Sequence, residues 1–182
     1  MSIKRTFILI TLLIIGSVLT CGWLLQREQE KFEMAIISLG DSSNSPACLQ
    51  MYNIIERKSK EYKIPRYILY NVAYLETGYR GPFDWSYNPE LTSSAGAQGA
   101  MQIITRYAHT HAGRYVTSKE LRTDIELNIT ISCKMLRTLY KEYGRWDLVL
   151  GYYNTGYPQV NEYASYATSN KNYKNKWYKP DF

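Results

Sequence analysis

A short segment between Pro65 and Gly78 constrains the fold of this chain more than any other part of the sequence. Proline suits the first turn of a helix, where its missing N–H is not needed, and glycine suits the left-handed residue just past a helix end. Between these boundaries Leu69, Val72 and Ala73 recur at helical spacing and form an apolar stripe. The segment therefore predicts a short helix that buries one face in a core.

Glu76 falls on the same face of this helix, seven residues after Leu69 and four after Val72. Burial and the last turn of a helix both disfavour a negative charge, so both would raise the pKa of this carboxyl group. A carboxylic acid that stays partly protonated near neutral pH is what glycoside cleavage needs from its proton donor. Since a glutamate at the edge of an apolar stripe is more often a solvated flanking residue, the helix alone makes Glu76 a candidate acid.

Residues 7–25 contain no charged side chain. As a helix, a stretch of this length spans about 28 Å, close to the hydrocarbon thickness of a bilayer. Lys4 and Arg5 precede it, which places the N-terminus in the cytoplasm and exports the rest of the chain. We therefore predict a transmembrane anchor or uncleaved signal over residues 1–25. Cleavage and lipidation at Cys21 stay open as alternatives, because the four residues that end at this cysteine loosely resemble a bacterial lipobox.

Composition divides the rest of the chain into three parts. Residues 26–46 end in a run of Gly, Ser, Asn and Pro that is typical of a linker. Residues 47–167 alternate helical patterns with polar loops, and residues 168–182 mix Lys and Asn with Tyr and Trp in a basic aromatic tail. The predicted fold class is therefore mainly α, with one helical domain behind an N-terminal membrane segment.

The longest predicted helix in the domain ends at Gly144. Thr123 and Glu126 have the spacing of a capping box, which places the start of this helix at Thr123. An earlier amphipathic helix is predicted over residues 47–62. Three further helices are predicted, one that begins at Met101-Gln102, one over residues 146–154 and one over residues 158–167.

The charge and the cysteines limit the partners and the chemistry. A net charge of +6 favours an anionic partner such as cell-wall polymer, lipid headgroups or nucleic acid, without choosing among them. Export places Cys48 and Cys133 in an oxidising compartment, where a disulfide between them and two separate buried thiols are both open. We predict no metal site, because the cysteines lack a histidine at metal spacing and because His109 and His111 lack a carboxylate motif.

Three short motifs follow one another along the domain, ET at 76–77, GAQGAMQ at 96–102 and YYNTG at 152–156. They resemble, in order, the E-S, G-x-x-G-L-M-Q and A-Y-N-x-G motifs of soluble-lytic-transglycosylase-type (SLT) domains, which are lysozyme-like. The segment 124–129 resembles the D-P-x-x-N-I segment of the same family. The chain differs from these motifs at Thr77, Ala100 and Tyr152, where the family usually has Ser, Leu and Ala. None of these differences removes a group that does chemistry.

The resemblance implies a lysozyme-like fold and cleavage of the β-1,4 bond between N-acetylmuramic acid and N-acetylglucosamine in peptidoglycan, leaving a 1,6-anhydro end. Glu76 matches the catalytic acid of the family, and no cofactor is implied. Tyr153 is expected to donate a hydrogen bond to Glu76 and to orient it. The residues that would hold the sugars, again by resemblance, are Ser93, Met101, Gln102, Tyr153 and Asn154.

Two alternatives to this reaction stay open. The loop between Glu76 and Ser93 is longer than the family usually has, and it contains Asp84 and Glu90. If Asp84 or Glu90 reached the far side of the sugar, the enzyme would be a two-acid hydrolase of the muramidase type. A wall-binding scaffold without turnover is the second alternative, and the intact Glu76 argues against it.

The expected partners follow from the family and from the apolar segment. They are the glycan strands of peptidoglycan, the inner membrane through residues 7–25, and an envelope-spanning secretion or conjugation machine that needs the wall opened locally. Nucleic acid is not expected as a partner. The expected location is the bacterial cell envelope, with the domain in the periplasm.

Overall fold

A computed structural model describes residues 15–28, 31, 35, 38 and 45–169 of the chain. Two compact units, Met1–Leu39 and Gly40–Phe182, are described separately. In the first unit, residues 15–28 are helical. No helix within the described residues is long and apolar enough to cross a membrane. Residues 7–14 of the predicted segment 7–25 lie outside the described residues, as do most of the predicted linker and most of the basic aromatic tail.

The second unit is mainly helical, as predicted. Two short strands, β1 and β2, pair antiparallel between the second and third helices. The bounds of its described elements, in chain order, are α1 Ala47–Glu61, α2 Arg66–Thr77, β1 Ala97–Gln98, β2 Ile103–Ile104, α3 Thr105–Ala112, α4 Ser118–Thr123, α5 Ile125–Tyr143, α6 Trp146–Thr155 and α7 Glu162–Ala167.

The predicted helix with the apolar stripe is α2. It begins after Pro65 and ends at Gly78, whose φ of 71° is left-handed, as the sequence indicated. The stripe residues Leu69, Val72 and Ala73 are completely buried. Around them the core is built from α1, α2 and α5, and its largest buried side chains include Met51, Ile55, Ile68, Ile129 and Leu136.

The predicted helix start at Met101 and Gln102 is wrong. Gln98 pairs with Ile103 in the small sheet, and the following helix, α3, begins at Thr105. A sheet of two-residue strands is too short to show alternation in the sequence, so hydrophobic periodicity could not reveal it.

The predicted capping box at the start of α5 is also wrong. The N-cap residue is Asp124, whose side chain accepts a hydrogen bond from the backbone N–H of Leu127. Glu126 instead forms an ion pair with Arg57, with an Nη1 to Oε1 distance of 2.7 Å. A true capping box lies one helix earlier, where Thr117 and Glu120 bind each other's backbone at the start of α4.

The disulfide between Cys48 and Cys133 is not formed, and both residues are buried free thiols. Cys48 lies in the first turn of α1, whereas Cys133 is close enough to Lys58, near the other end of α1, to feel its charge. These positions along α1 are separated by about 15 Å, far beyond the Cα distance that a disulfide spans. Of the two readings that the sequence left open, the structure therefore has two separate thiols.

Candidate active site

The last turn of α2 holds Glu76, the candidate acid. Because the helix packs its apolar stripe into the core, the neighbouring Glu76 is largely buried as well. Burial raises the pKa of this carboxyl group to about 7. At neutral pH both protonation states are therefore populated, which allows one group to donate a proton and later to accept one.

Tyr163, at the start of α7, supplies the hydrogen bond to this acid. Its hydroxyl donates to Oε1 of Glu76 at 2.5 Å. The bond favours the carboxylate and lowers the pKa of Glu76, but burial has the larger effect. The expected hydrogen bond from Tyr153 to Glu76 is wrong, because the hydroxyl of Tyr153 donates to the carbonyl oxygen of Met101 at 2.6 Å.

Two asparagines fix the position of Tyr163. Asn161 caps α7, since its side chain accepts from the N–H of Ala164 at 2.8 Å. Asn71, buried on α2, donates to the carbonyl oxygen of Ala167 at 3.1 Å at the other end of α7. Both ends of this short helix are therefore held, and with them the tyrosine that contacts Glu76.

Tyr153 lies close to Glu76, but its hydroxyl group donates to Met101. The charge of Glu76, after burial, contributes to raising the pKa of Tyr153 well above its usual value, so the two groups are close and the phenol stays protonated. Ser132 on α5 lies 3.1 Å from the Tyr153 hydroxyl, which already donates to Met101. Tyr153 thus ties α6 to the motif at 96–102.

The turn at 96–102 is bonded to α2 and to α5 by one side chain from each helix. Thr77, next to Glu76, lies within 2.9 Å of the carbonyl oxygen of Ala100 through its hydroxyl. From α5, the buried Asn128 accepts from the N–H of Met101 at 2.8 Å and donates to the carbonyl oxygen of Gln98 at 2.8 Å. The segment 124–129 therefore positions the turn as well as forming the start of the long helix.

Close packing explains the second glycine of this motif. A Cβ atom at Gly99 would lie 2.0 Å from the carbonyl oxygen of Leu121 and 2.5 Å from Nδ2 of Asn128. The φ of Gly99 is also left-handed, at +75°. A larger residue there would push the turn away from α4 and α5, so the glycine requirement is steric.

The residues predicted to hold sugars differ in their exposure. Met101 is fully buried, and its backbone N–H and carbonyl oxygen are bonded to Asn128 and Tyr153, so the structure uses it to hold the turn and not, as predicted, to contact a sugar. Gln102 is partly exposed and has a left-handed φ of 50°, and its amide donates to the carbonyl oxygen of Gly99 at 2.9 Å. Ser93 is partly buried and accepts from the N–H of Ala97, and Asn154 is exposed at the end of α6. The left-handed backbone of Gln102 is a conformation that clusters at functional sites.

Asp84, the predicted second acid, is buried in the long loop after α2. Its Oδ2 lies 3.2 Å from Nε of Arg80, and its Oδ1 accepts from the hydroxyl of Ser86 at 2.8 Å. Both carboxylate oxygens are thus engaged within the loop. Glu90 is exposed at the other end of the loop.

The described residues contain no group of three or more His, Cys, Asp and Glu side chains that could hold a metal ion. His109 instead accepts a hydrogen bond from the N–H of Val116 at 3.1 Å and stacks on Tyr115.

The site thus contains a largely buried acid at the end of a helix, with the hydroxyl of one tyrosine on its Oε1 atom and a second tyrosine close by, in a mainly helical domain. A family model described as "Transglycosylase SLT domain" matches residues 53–176, and the chain belongs to this family. The match supports the resemblance seen in the three motifs and indicates an enzyme of lytic transglycosylase or lysozyme type that acts on peptidoglycan. A comparison with curated proteins finds no match.

Proposed function

We propose that the protein is a lytic transglycosylase that cleaves the bond between N-acetylmuramic acid and N-acetylglucosamine without water and leaves a 1,6-anhydro end. The observation that carries this proposal is the environment of Glu76, a largely buried carboxyl group with a pKa of about 7 and a tyrosine hydroxyl as its hydrogen-bond partner. Such a group can act as acid and base in turn.

In the first step, protonated Glu76 donates its proton to the glycosidic oxygen of the leaving N-acetylglucosamine. As this bond breaks, the carbonyl oxygen of the substrate's own acetamido group bonds to C1 and stabilises the positive charge. Because Tyr163 occupies Oε1 of Glu76, we assign the proton transfer to Oε2. The leaving sugar departs with a hydroxyl group at C4.

In the second step, the carboxylate of Glu76 takes the proton from the C6 hydroxyl of the N-acetylmuramic acid. The C6 oxygen bonds to C1, the bond from the acetamido oxygen to C1 breaks, and the 1,6-anhydro ring closes. Glu76 is again protonated and no water is consumed. Throughout, Tyr163 holds the orientation of the carboxyl group, and the partly exposed Gln102, Ser93 and Asn154 are assigned to the sugars.

The two-acid hydrolase is less well supported. It needs a free carboxylate on the far side of the sugar, whereas Asp84 is engaged with Arg80 and Ser86 on its two oxygens. A non-catalytic scaffold is also less well supported. Within the described part of the chain no cation forms an ion pair with Glu76, and a largely buried carboxyl group of this kind is costly to keep.

The products test the reaction. Purified peptidoglycan is digested in H₂¹⁸O, and the muropeptides are analysed by mass spectrometry for wild type and for Glu76→Gln. Anhydro ends without ¹⁸O, absent from the variant digest, are the expected result. Reducing ends that carry ¹⁸O would assign the enzyme to the hydrolases, and wild-type levels of product from the variant would move the chemistry away from Glu76.

We also infer that the enzyme works in the periplasm at the inner membrane, where it opens the wall locally for an envelope-spanning machine. The uncharged stretch at 7–25 behind Lys4 and Arg5 supports this location. Fractionation of cells that express the full chain tests it. The proposal requires the protein in the inner-membrane fraction and its domain open to protease added to the periplasm.

A further inference from the structure

A basic pocket lies between α1, α3 and α5. Its volume is about 450 Å³, and Thr110 and Thr138 contribute to its wall. The side chains that give the pocket its positive charge are Lys63, Lys134, Arg137 and Lys141, and His111 and the acid Glu61 also line it.

The positive charge of this pocket is not compensated within the described part of the chain. Glu61 forms its ion pair with Lys58, at 2.9 Å. Among the described residues, no carboxylate lies within ion-pair distance of Lys63, Lys134, Arg137 or Lys141. Burial, followed by the charge of Lys134, lowers the pKa of His111, which is consistent with a positive field in the pocket.

Lys63 is held in the pocket at a conformational cost. It follows the C-terminus of α1 with a φ of 53°, in the left-handed region where glycine is the favoured residue. The backbone conformation alone would favour glycine, which has no side chain, but the sequence has a lysine here. Such a residue is a reason to look for function in its side chain.

The pocket lies on the side of α5 opposite to the active site. Ser132 on α5 contacts the hydroxyl of Tyr153 beside Glu76. At 100° per residue, Lys134 lies about 200° around the helix from Ser132 and Lys141 about 180°. A partner in the pocket would therefore leave the side of α5 that contacts Tyr153 uncovered.

We propose that this pocket binds the phosphate of an anionic phospholipid headgroup and docks the domain on the bilayer with its active site facing away. Lysine ammonium and arginine guanidinium groups are the donors that phosphate recognition uses, and a cluster of them is attracted to anionic lipid. The sequence favours a lipid over other sources of phosphate, because the same chain carries an uncharged 19-residue stretch at 7–25.

The test uses lysine footprinting of the full chain reconstituted in vesicles. An amine-reactive reagent labels exposed lysines, and mass spectrometry measures the labelling of Lys63, Lys134 and Lys141 against the exposed Lys119 on α4. Vesicles of phosphatidylcholine alone are compared with vesicles that also contain phosphatidylglycerol. Because the protein in both kinds of vesicle has the same N-terminal segment, a difference in lysine labelling reports on the headgroups.

We expect phosphatidylglycerol to lower the labelling of the three pocket lysines severalfold and to leave Lys119 unchanged. Since each cation near an anionic surface favours binding by about fivefold, Lys134→Glu should reduce the docked population by about tenfold or more and restore labelling of Lys63 and Lys141. Lys119→Glu, which makes the same change in net charge outside the pocket, is the matched control and should keep the protection. Melting temperatures of both variants check that they fold.

Three outcomes would overturn the proposal. Equal labelling in the two kinds of vesicle would mean that the headgroups do not reach the pocket. Protection by inorganic phosphate in phosphatidylcholine vesicles, as strong as that by phosphatidylglycerol, would assign the pocket to a soluble anion. Protection by purified peptidoglycan with its attached anionic polymers, but not by phosphatidylglycerol, would assign it to the wall.

Discussion

Two carboxyl groups flank the first part of the loop after α2, and both are removed from water. Asp84 has a guanidinium group on one oxygen and a serine hydroxyl on the other. Glu76 has a tyrosine hydroxyl on one oxygen, and burial raises its pKa to about 7. The two acids therefore differ in the partner that each one has inside the fold. A cation next to a buried carboxyl group compensates its charge, whereas the neutral donor at Glu76 leaves burial as the larger effect on its pKa.

Replacement of the two acids should give opposite results in activity. Glu76→Gln removes the group that donates and accepts the proton, so we expect turnover of peptidoglycan to fall by about 10³-fold. Asp84→Asn, a change of the same kind in the adjacent loop, should retain activity within about threefold at a temperature where it is folded. Release of soluble muropeptides measures both. A loss of similar size in Asp84→Asn would make Asp84 a second catalytic acid.

The pH dependence of stability should reveal the cost of burying Glu76. Its pKa rises from 4.5 to about 7 on folding, so the unfolded chain loses its proton first as the pH increases. Between these two pH values the free energy of unfolding should therefore fall, by about 3 kcal/mol in total, and then stay level above pH 7. Urea unfolding at several pH values, compared with Glu76→Gln, isolates this slope. If both proteins had the same slope, Glu76 would not be buried as an acid.

The same pKa predicts the pH dependence of the reaction. Because the first step needs protonated Glu76, kcat/KM should fall about tenfold per pH unit above pH 7. Initial rates with a soluble glycan substrate measure this limb. A rate that kept rising through this range would show that another group with a higher pKa supplies the proton.

Asp84 should matter for stability in a way that Glu76 does not. Asp84→Asn leaves Arg80 without its carboxylate, but the Arg80 side chain is 48% exposed and can be solvated. We therefore expect the free energy of unfolding to fall by about 1–2 kcal/mol, below the cost of breaking a fully buried ion pair. Glu76→Gln at the same pH should be neutral or stabilising. Thermal unfolding distinguishes the two, and a stable Asp84→Asn would contradict the structural role.

The part of the site that could be predicted from the sequence is the part built by local pattern. The Pro65 and Gly78 boundaries and the spacing of Leu69 and Val72 place Glu76 on a buried face, because helical periodicity is visible within one segment. The start of α5 was wrong by one residue, since Thr123 and Asp124 are adjacent and both can cap a helix.

The remainder depends on contacts between distant parts of the chain. Tyr163 lies 87 positions after Glu76, and Asn128 lies 27 positions after Met101. In a chain with 18 tyrosines, no local pattern distinguishes the one that meets the acid. Tyr153 was favoured because it lies in a motif, whereas the structure uses it to hold the turn at Met101. Helix packing, which brings α7 against α2, decides between them.

Removal of single tyrosine hydroxyl groups tests which tyrosine donates the hydrogen bond to Glu76, and its expected effect is the smallest. Tyr163→Phe deletes the hydrogen bond that favours the carboxylate, so the pKa of Glu76 should rise and the alkaline limb of kcat/KM should move to higher pH. We also expect a fall in rate of about threefold at neutral pH, because the carboxyl group is oriented less well.

Tyr153→Phe is the matched control, since its hydroxyl donates to Met101 rather than to Glu76. It should leave the position of the limb unchanged, whatever it does to stability. A limb that moved with Tyr153→Phe and not with Tyr163→Phe would return the orienting role to the residue that the motif favoured. The neutral donor to the acid would then be the tyrosine of α6, and the contrast with the cation-paired Asp84 would still hold.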